Sequence, residues 1–484
     1  MRFMKIALVL PPVTTKERYN KALAHVTGSL PPLGLLSIGT VLKESGHEVI
    51  VLDGTIQPHP EIIAKIEDFG PEIIGVTAMT MMWPKVKLLS RELKERLPEA
   101  KIIVGGVHTT LIRERALTEI PDIDAIAYGE GDFSMQEYAE NADRLEAAPP
   151  IDGIAFRRPD GSFIVGPDRK PIPNLDLLPI PDRSLLPVTK YTGAFHQNKK
   201  LPVTNMVTTR GCPFKCIFCI PDLLGKSVRY RSVSKVVDEI EYLLVQHGIQ
   251  DIAFFDDTFT LNKKRVLSLC EKIQERGLRF VWSAHARADC VNPEMLEQMA
   301  RAGCWKLFFG VESLVQKNLD TIQKGETVEE IFQAIRWTKE AGIEVEASFI
   351  FGIPGETYAE GLETIRLALK LDPDYAKFFP LSPYGGKLLD EVDRYGTLLT
   401  DNEERFSSNN ITFIPFTMSR EELQKLYFNS YRRFYFRPKM VFRRLKKASH
   451  MNEVRKSFQG LIALLFFLSE EIMTMIKNID WFPF

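Results

Sequence analysis

The residues best suited to chemistry are three cysteines in the run Arg210-Gly211-Cys212-Pro213-Phe214-Lys215-Cys216-Ile217-Phe218-Cys219. Thiolates spaced C-x3-C-x2-C can wrap one corner of an iron–sulfur cluster and leave its fourth iron without a protein ligand, and an open iron is a reactive one. A structural zinc would call for a fourth ligand from a second C-x2-C pair or from Cys plus His, and no second pair accompanies this stretch. Cys270, Cys290 and Cys304 fall at scattered positions on helical or loop patterns and read as buried small hydrophobes. Six cysteines in 484 residues exclude a disulfide scaffold, and three crowded together read as a metal site in a reducing compartment.

The cysteines follow directly on a strand-like run, in a region where strands and long helices alternate. Strands are expected at Thr204–Thr209, Asp251–Phe255, Arg279–Ser283, Lys306–Phe309, Glu344–Phe351 and Tyr375–Leu381. Helices are expected at Val233–His247, Lys263–Arg276, Pro293–Ala302, Val328–Ala341 and Ala359–Leu371. Six such units make a partial parallel barrel, with active residues at the strand ends. Those ends carry titratable groups. Asp256-Asp257 could accept an ammonium or cap the next helix. Arg287 could grip a carboxylate as a bidentate fork or pair with Asp289. Glu312, in Gly310-Val311-Glu312-Ser313, would be costly there without a partner. Pro and Gly restrict the turn Phe351-Gly352-Ile353-Pro354-Gly355-Glu356-Thr357, which is either a ligand loop or a helix start.

Residues 1–142 alternate in the same way, with strands expected at Lys5–Leu10, Glu48–Leu52, Ile73–Thr77, Lys101–Val104 and Ala125–Tyr128. Amphipathic segments Leu33–Ser45, Trp83–Arg96 and Asp132–Glu140 lie between them. Five βα units imply a doubly wound parallel sheet whose ligand lies beyond the carboxyl ends of the strands. The tips there are small, polar or turn-forming: Pro11-Pro12, Asp53-Gly54, Thr77-Ala78-Met79, Gly105-Gly106-Val107-His108 and Gly129-Glu130-Gly131-Asp132. Each alone could simply turn the chain; five together would let a large flat ligand approach the backbone. Residues 143–203 read as a linker, with a hairpin at Ile154–Val165 and a proline-dense stretch from Pro171 to Pro187. The barrel is expected over 204–395 and a mainly helical region over 396–484.

An apolar share of 45% and a charged share of 26% describe a folding chain, and 62 basic against 63 acidic residues provide no field for nucleic acid. The N-terminus lacks a signal-peptide core, and the longest apolar run, Leu461–Leu468, is too short to span a bilayer. Near the C-terminus Arg432, Arg433, Arg437, Lys439, Arg443, Arg444, Lys446 and Lys447 alternate with Phe434, Tyr435, Phe436 and Phe442. That segment suits either a surface-lying helix at anionic lipid or a charged face whose aromatics pack on the barrel. The chain is placed in the cytoplasm, peripheral to the inner face of the membrane on the first of these readings.

The cysteine spacing, on the loop after the first strand of a partial βα barrel, resembles the radical S-adenosylmethionine superfamily. The resemblance implies a [4Fe–4S] cluster on Cys212, Cys216 and Cys219 whose open iron is chelated by the methionine end of S-adenosylmethionine. One electron then cleaves the cofactor to a 5′-deoxyadenosyl radical. Phe218 stands where that family places an aromatic against the adenine. Asp256 and Asp257 stand at the level of the cofactor's amino group, where Gly-Gly-Glu is commoner. The resemblance further places Arg287, Glu312 and Ser313 near the carboxylate and ribose, and Gly352 and Pro354 in an adenine-binding turn. The first 142 residues resemble the cobalamin-binding domain that precedes this barrel in one subclass, with Pro11, Asp53, Gly54, Thr77, Gly105, Gly106, Gly129, Glu130 and Gly131 at its tips. The D-x-H-x-x-G element that supplies a histidine to cobalt is missing, since Thr55 stands two positions after Asp53, and His108 is no substitute. The implied cobalamin therefore has no protein histidine on cobalt.

Three functions fit these features. The first is a cobalamin-dependent radical methyltransferase, acting on an unactivated carbon of a small-molecule or lipid-like substrate with an external one-electron reductant. The second is oxidative ring formation, as in the anaerobic magnesium-protoporphyrin monomethyl ester cyclase that the architecture also resembles. The third is a non-catalytic cobalamin sensor, against which the intact cysteines and strand-end set argue.

Overall fold

Alternating β-branched runs and amphipathic helices build two parallel sheets in this computed structural model, which describes residues 2–13, 28–145, 149–193, 198–220, 225–400, 410–440 and 443. The first sheet holds β1 (Lys5–Leu10), β2 (Glu48–Asp53), β3 (Ile73–Thr77), β4 (Lys101–Gly105), β5 (Ala125–Ala127), β6 (Ile154–Arg157) and β7 (Phe163–Val165), in the order β2-β1-β3-β4-β5-β6-β7. Strands β1 to β5 are parallel, and both faces are covered. On one face Ile6, Leu8 and Ile103 pack with Leu36 and Met135 of the helices Leu33–Glu44 and Gly131–Asn141. On the other, Ala7, Val9 and Val104 pack with Ile62 and Val86 of the helices His59–Phe69 and Trp83–Arg96. Burial on both faces is why these strands read as unbroken apolar runs. The winding reverses between β1 and β3, which opens a crevice above that point.

The hairpin that the sequence placed in the linker belongs to this sheet. Asp160 accepts from the Ser162 N–H and hydroxyl to close its turn, and β6 pairs antiparallel with β5, Ala125 opposite Phe156. With Ile154, Ala155 and Phe156 all buried, the hairpin covers what would be a bare three-residue edge strand.

The second sheet comprises β8 (Val203–Met206), β11 (Asp251–Phe254), β12 (Val281–Ala286), β13 (Cys304–Glu312), β14 (Glu344–Phe351) and β15 (Tyr375–Pro380), all parallel and adjacent in that order. Between β8 and β11 a small ribbon forms from β9 (Thr209–Arg210) and β10 (Arg229–Tyr230). Side chains alternate along β12 and β13 up to a bulge at the end of β13. Trp282, Ala284 and Ala286 join Leu307, Phe309 and Val311 in the core beneath the helices. Their neighbours His285, Phe308 and Gly310 therefore face the inner surface, where Arg287, just past β12, and Glu312, at the β13 bulge, join them. Strand β12 begins and ends later than the sequence implied, because its later core-facing residues, Ala284 and Ala286, are small and carry little strand signal.

Beyond the barrel the helix Arg420–Tyr435 forms behind a capping box of Ser419 and Glu422. The region is not wholly helical: β16 (Gly396–Leu398) and β17 (Phe413–Pro415) pair antiparallel. Phe434 packs edge-on against Phe378, and the Tyr431 and Tyr435 hydroxyls meet the backbone of Phe378 and Ala376 along the outer edge of β15, both donating and accepting. Arg437, Lys439 and Arg443 pair with Asp372. This part of the basic, aromatic segment is thus packed on the barrel; Phe442, Arg444, Lys446, Lys447 and Leu461–Leu468 lie outside the described residues. Among the described residues no helix is long and apolar enough to cross a membrane.

Candidate active site: two cavities bordered by one short stretch of chain

The cysteine loop leaves β9 and returns as β10, with Arg210 opposite Arg229. Gly211 makes the exit possible: its φ is +97°, and a Cβ there would lie 2.6 Å from the Ser227 carbonyl oxygen. The Ile217 N–H donates to the Ile322 carbonyl (3.1 Å), the Leu388 N–H donates to that of Ile217 (3.2 Å), and the Ile217 side chain packs with Ile353 and Leu381. A backbone bond from the Cys219 N–H to the Cys216 carbonyl then curls the second half. All three cysteines border one cavity of about 260 Å³ at the carboxyl end of the barrel. Burial raises the Cys216 thiol and pushes Cys219 up to about 11, so service as metal ligands would require both to give up a proton.

Facing the cysteines across this cavity is a chain of buried charges. Lys324 Nζ lies 3.6 Å from both Glu312 and Glu326. Arg287 donates to Asp289 through Nε and Nη2 (3.0 Å each) and to the Lys324 carbonyl (2.8 Å), with its guanidinium 3.5 Å above the Phe214 ring. The two readings of Arg287 are therefore compatible: it is paired with Asp289 and it borders the cavity. Glu312 has φ +63° at a bulge in β13, and its carboxylate folds back over Gly310, where a Cβ would lie 2.4 Å from Oε1. Burial raises Glu312 above the usual carboxylate range against the pull of Lys324. Phe218 and Asp257 border the same space, and burial raises Asp257.

Four expected residues are placed elsewhere. Asp256 is fully buried and accepts from the Thr208 N–H (2.5 Å) and hydroxyl (2.7 Å) and the Thr209 N–H (2.7 Å), so it fixes the root of the ribbon. The Ser313 hydroxyl is engaged with Thr364 and Asn318. Gly352 donates to Glu356 and backs onto Leu423 of the C-terminal helix, and Pro354 is buried in the same turn. Glu356, held by the Gly352 and Ile353 N–H groups and Asn318, is pushed by burial up to about 8.

A second cavity, of about 350 Å³, opens over the carboxyl ends of β3, β4 and β5 and runs down beside Leu8, Gly75 and Met135. Register aligns Thr77, Gly105 and Ala127 in one row at its mouth. Gly106, at φ +109°, lies so close to the Ala78 carbonyl oxygen that a Cβ would be 2.6 Å from it. An added Cβ at Gly34 or Gly129 would meet nothing, because both border open space. Glu130, Gly131, Asp132 and Arg210 complete the wall. Pro11, Asp53 and Gly54 do not border it. Gly54 crosses the Pro12 backbone so closely that a Cβ would lie 2.3 Å from the Pro12 Cα, and Asp53 accepts from Tyr191 (2.7 Å) and from the Thr55 N–H and hydroxyl. His108 is tucked against Trp83, 4.7 Å between ring centroids, with Nδ1 3.3 Å from the Thr80 hydroxyl.

The donor sets are compatible in chemistry with the groups that the resemblance implies. Among the described residues no three His, Cys, Asp or Glu side chains converge as they would on a single metal ion. A cuboidal cluster takes one thiolate per iron and so needs them spread around it. Opposite lie both a carboxylate and cations, complementary to an amino acid's two charged ends. Sequence reasoning missed Lys324, Glu326, Phe214, Arg210 and Arg229, because the fold alone brings to them the partners they meet at the two cavities. Only their costly burial as unpaired charges could have flagged the ionic ones.

The Radical SAM superfamily model matches residues 206–368, and the B12 binding domain model matches residues 19–139. An uncharacterised methyltransferase of Pyrococcus horikoshii is 33% identical over 96% of this chain and 100% of its own length. The anaerobic magnesium-protoporphyrin IX monomethyl ester cyclase of Rubrivivax gelatinosus is 31% identical, covering 86% of this chain and 76% of its own. The radical S-adenosylmethionine methyltransferase TsrM of Kitasatospora setae, solved with tryptophan and an S-adenosylmethionine analogue, superposes with a TM-score of 0.68 at 18% identity over 90% of each chain. Fold and site define a radical S-adenosylmethionine enzyme with a cobalamin-binding sheet. The chain belongs to the cobalamin-binding radical S-adenosylmethionine family of methyltransferases and cyclases, whose cofactors are a [4Fe–4S] cluster, S-adenosylmethionine and cobalamin.

Proposed function

We propose that this enzyme methylates an unactivated carbon of a small-molecule substrate, replacing one C–H bond by a C–CH3 bond. The observation that carries the reading is the placement of two cavities two residues apart along the chain, Arg210 bordering the one with the small strand tips and Cys212 the one with the cysteines. Bound there, the three cofactors supply one-electron cleavage of a sulfonium and a transferable methyl group. Cys212, Cys216 and Cys219 would hold the cluster, and Asp257 and Glu312 would face the ammonium of S-adenosylmethionine. Arg287 and Lys324 would face its carboxylate, and Phe218 would lie against its adenine. Thr77, Gly105, Gly106, Gly129 and Gly131 would let the corrinoid lie against backbone.

The cobalamin-binding unit extends past residue 142 to include the hairpin β6–β7, because that hairpin completes its sheet. An external one-electron reductant is the implied partner. Three of the basic side chains that suggested a lipid surface are used by Asp372, which favours a dissolved substrate over a membrane-resident one.

The second reading, oxidative ring closure, is favoured by the likeness to the cyclases. Product mass separates the two after anaerobic reconstitution and comparison of metabolites from deletion and complemented cells. A gain of CH2 supports methylation; loss of hydrogens with gain of oxygen overturns it.

A further inference from the structure

Arg210 borders the strand-tip cavity and stands two residues before Cys212, which borders the other. Its guanidinium donates to Asp132 through Nη1 (2.7 Å) and Nη2 (3.3 Å), and Nη1 lies 3.5 Å from Glu130. Directly opposite on the ribbon, Arg229 reaches the same tip at Glu130 (2.8 Å) and donates to the Ile172 carbonyl (2.9 Å). The tip is gripped from its own side as well, since Ser37 donates to Asp132 (2.5 Å) and the Ile172 N–H to Glu130 (2.7 Å). The Asp132 and Glu130 side chains are only 5% and 4% exposed. Arg210 holds the Asp132 carboxyl below its ordinary range despite that burial. Charge-assisted bonds so far from water are short, directional and little screened by salt.

We propose that the pairs Arg210–Asp132 and Arg229–Glu130 form a clamp that sets the distance and orientation between the corrinoid and the cluster, with Arg210 as its positioning residue. The inference rests on the function proposed above. Two residues of chain span at most about 7 Å, so a shift of Arg210 is passed to the first cysteine with little slack. General attachment of the two sheets has other means. Asn205 of β8 donates to the Pro31 carbonyl (3.1 Å), and the buried Arg183, whose neighbour Leu186 packs in the first sheet's core, donates to the Asn205 carbonyl (3.0 Å) and to Glu239 (3.1 Å). None of these contacts touches the tip or the cysteine loop. Loss of the clamp therefore loosens cofactor spacing without separating the sheets.

The test uses the full chain reconstituted with cluster and cobalamin, comparing wild type with Arg210→Gln, Asp132→Asn and Arg210→Lys. Cobalamin and iron contents are measured first, with cob(II)alamin supplied above its dissociation constant. Paramagnetic resonance then reads the relaxation and dipolar broadening of the Co(II) signal by the reduced cluster. In the loaded Gln and Asn variants the broadening should change and its distribution widen. Arg210→Lys, which keeps the charge but not the fork, should fall between them and wild type. Broadening identical to wild type in both loaded variants overturns the proposal. So does failure of all three to load cobalamin at saturation, which would make the clamp a binding element. If wild type itself took up no cobalamin, the proposed function would fail instead.

Discussion

Lys324→Met removes the ammonium that the structure places between Glu312 and Glu326, at 3.6 Å from each. At such distances, with an effective dielectric near 20, each attraction is about 4 kcal/mol before desolvation of the ammonium is set against it. Removing one partner of a buried pair typically leaves a deficit of ~3–5 kcal/mol, and protonation of one stranded carboxylate relieves part of it. The net expected loss is about 3 kcal/mol, or roughly 6–12 °C in melting temperature for a unit of some 200 residues. Burial already raises both carboxyls, and without the lysine they rise further. A raised carboxyl penalises the folded state above its unfolded value, so the variant's deficit is full near pH 8 and shrinks towards pH 5. The Lys324 ammonium is itself raised, so its contribution is lost only above the ordinary lysine range, outside this window. Thermal and urea unfolding of cluster-free, reduced protein at pH 8.0 and 5.5 measures both quantities, with Lys324→Arg as the charge-keeping control. A deficit under about 1 kcal/mol at pH 8, or one that fails to shrink in acid, would refute the reasoning.

Cys216→Ala should abolish the visible iron–sulfur absorption and 5′-deoxyadenosine formation, whereas Cys304→Ala should leave both; persistence in the first variant sinks the ligand assignment. Gly34→Phe projects a ring into the open strand-tip cavity and should weaken cobalamin binding by at least about tenfold in an absorbance titration, with no loss of melting temperature because helix propensity improves. Glu356, with its folded value pushed up to about 8, makes wild type lose stability as pH climbs from about 4.5 towards 8. Glu356→Gln removes that slope, so its melting temperature should gain on wild type between pH 5 and 8.5; a widening wild-type advantage would contradict the burial argument. Co(II) cobalamin in the holoprotein should show no nitrogen hyperfine splitting from the protein, and His108→Ala should not alter the spectrum.

The barrel and the doubly wound sheet were legible because burial on both faces leaves long apolar runs with clear punctuation. β3 and β14 match their sequence bounds at both ends. What escaped notice was short or non-local. The two-residue strands of the ribbon carry no periodicity, and the hairpin β6–β7 reads the same whether free or added to an edge. Position at a strand end proved an incomplete guide to the site. Asp256 and Asp257 are adjacent, yet the turn that follows β11 sends one into the root of the ribbon and the other into the cavity. Asp53 likewise carries an expected tip residue's position, but Tyr191, 138 positions away, takes up its carboxylate.

The tyrosines along β15 bear on how the barrel ends. Four helical residues rise about 6 Å, close to the roughly 6.6 Å between alternate residues of a strand, so Tyr431 and Tyr435 fall in step with Phe378 and Ala376. Each phenol both gives and takes a hydrogen bond, as a strand residue would, and the pair acts as a side-chain surrogate for a seventh strand. A barrel that stops at six strands would otherwise offer this edge as a template for another chain. The two hydroxyls therefore act as a stopper against recruitment: removing both oxygens exposes rungs that a second copy can fill, so the cost of the double phenylalanine change appears as self-association and lost solubility before it appears as a lower melting point.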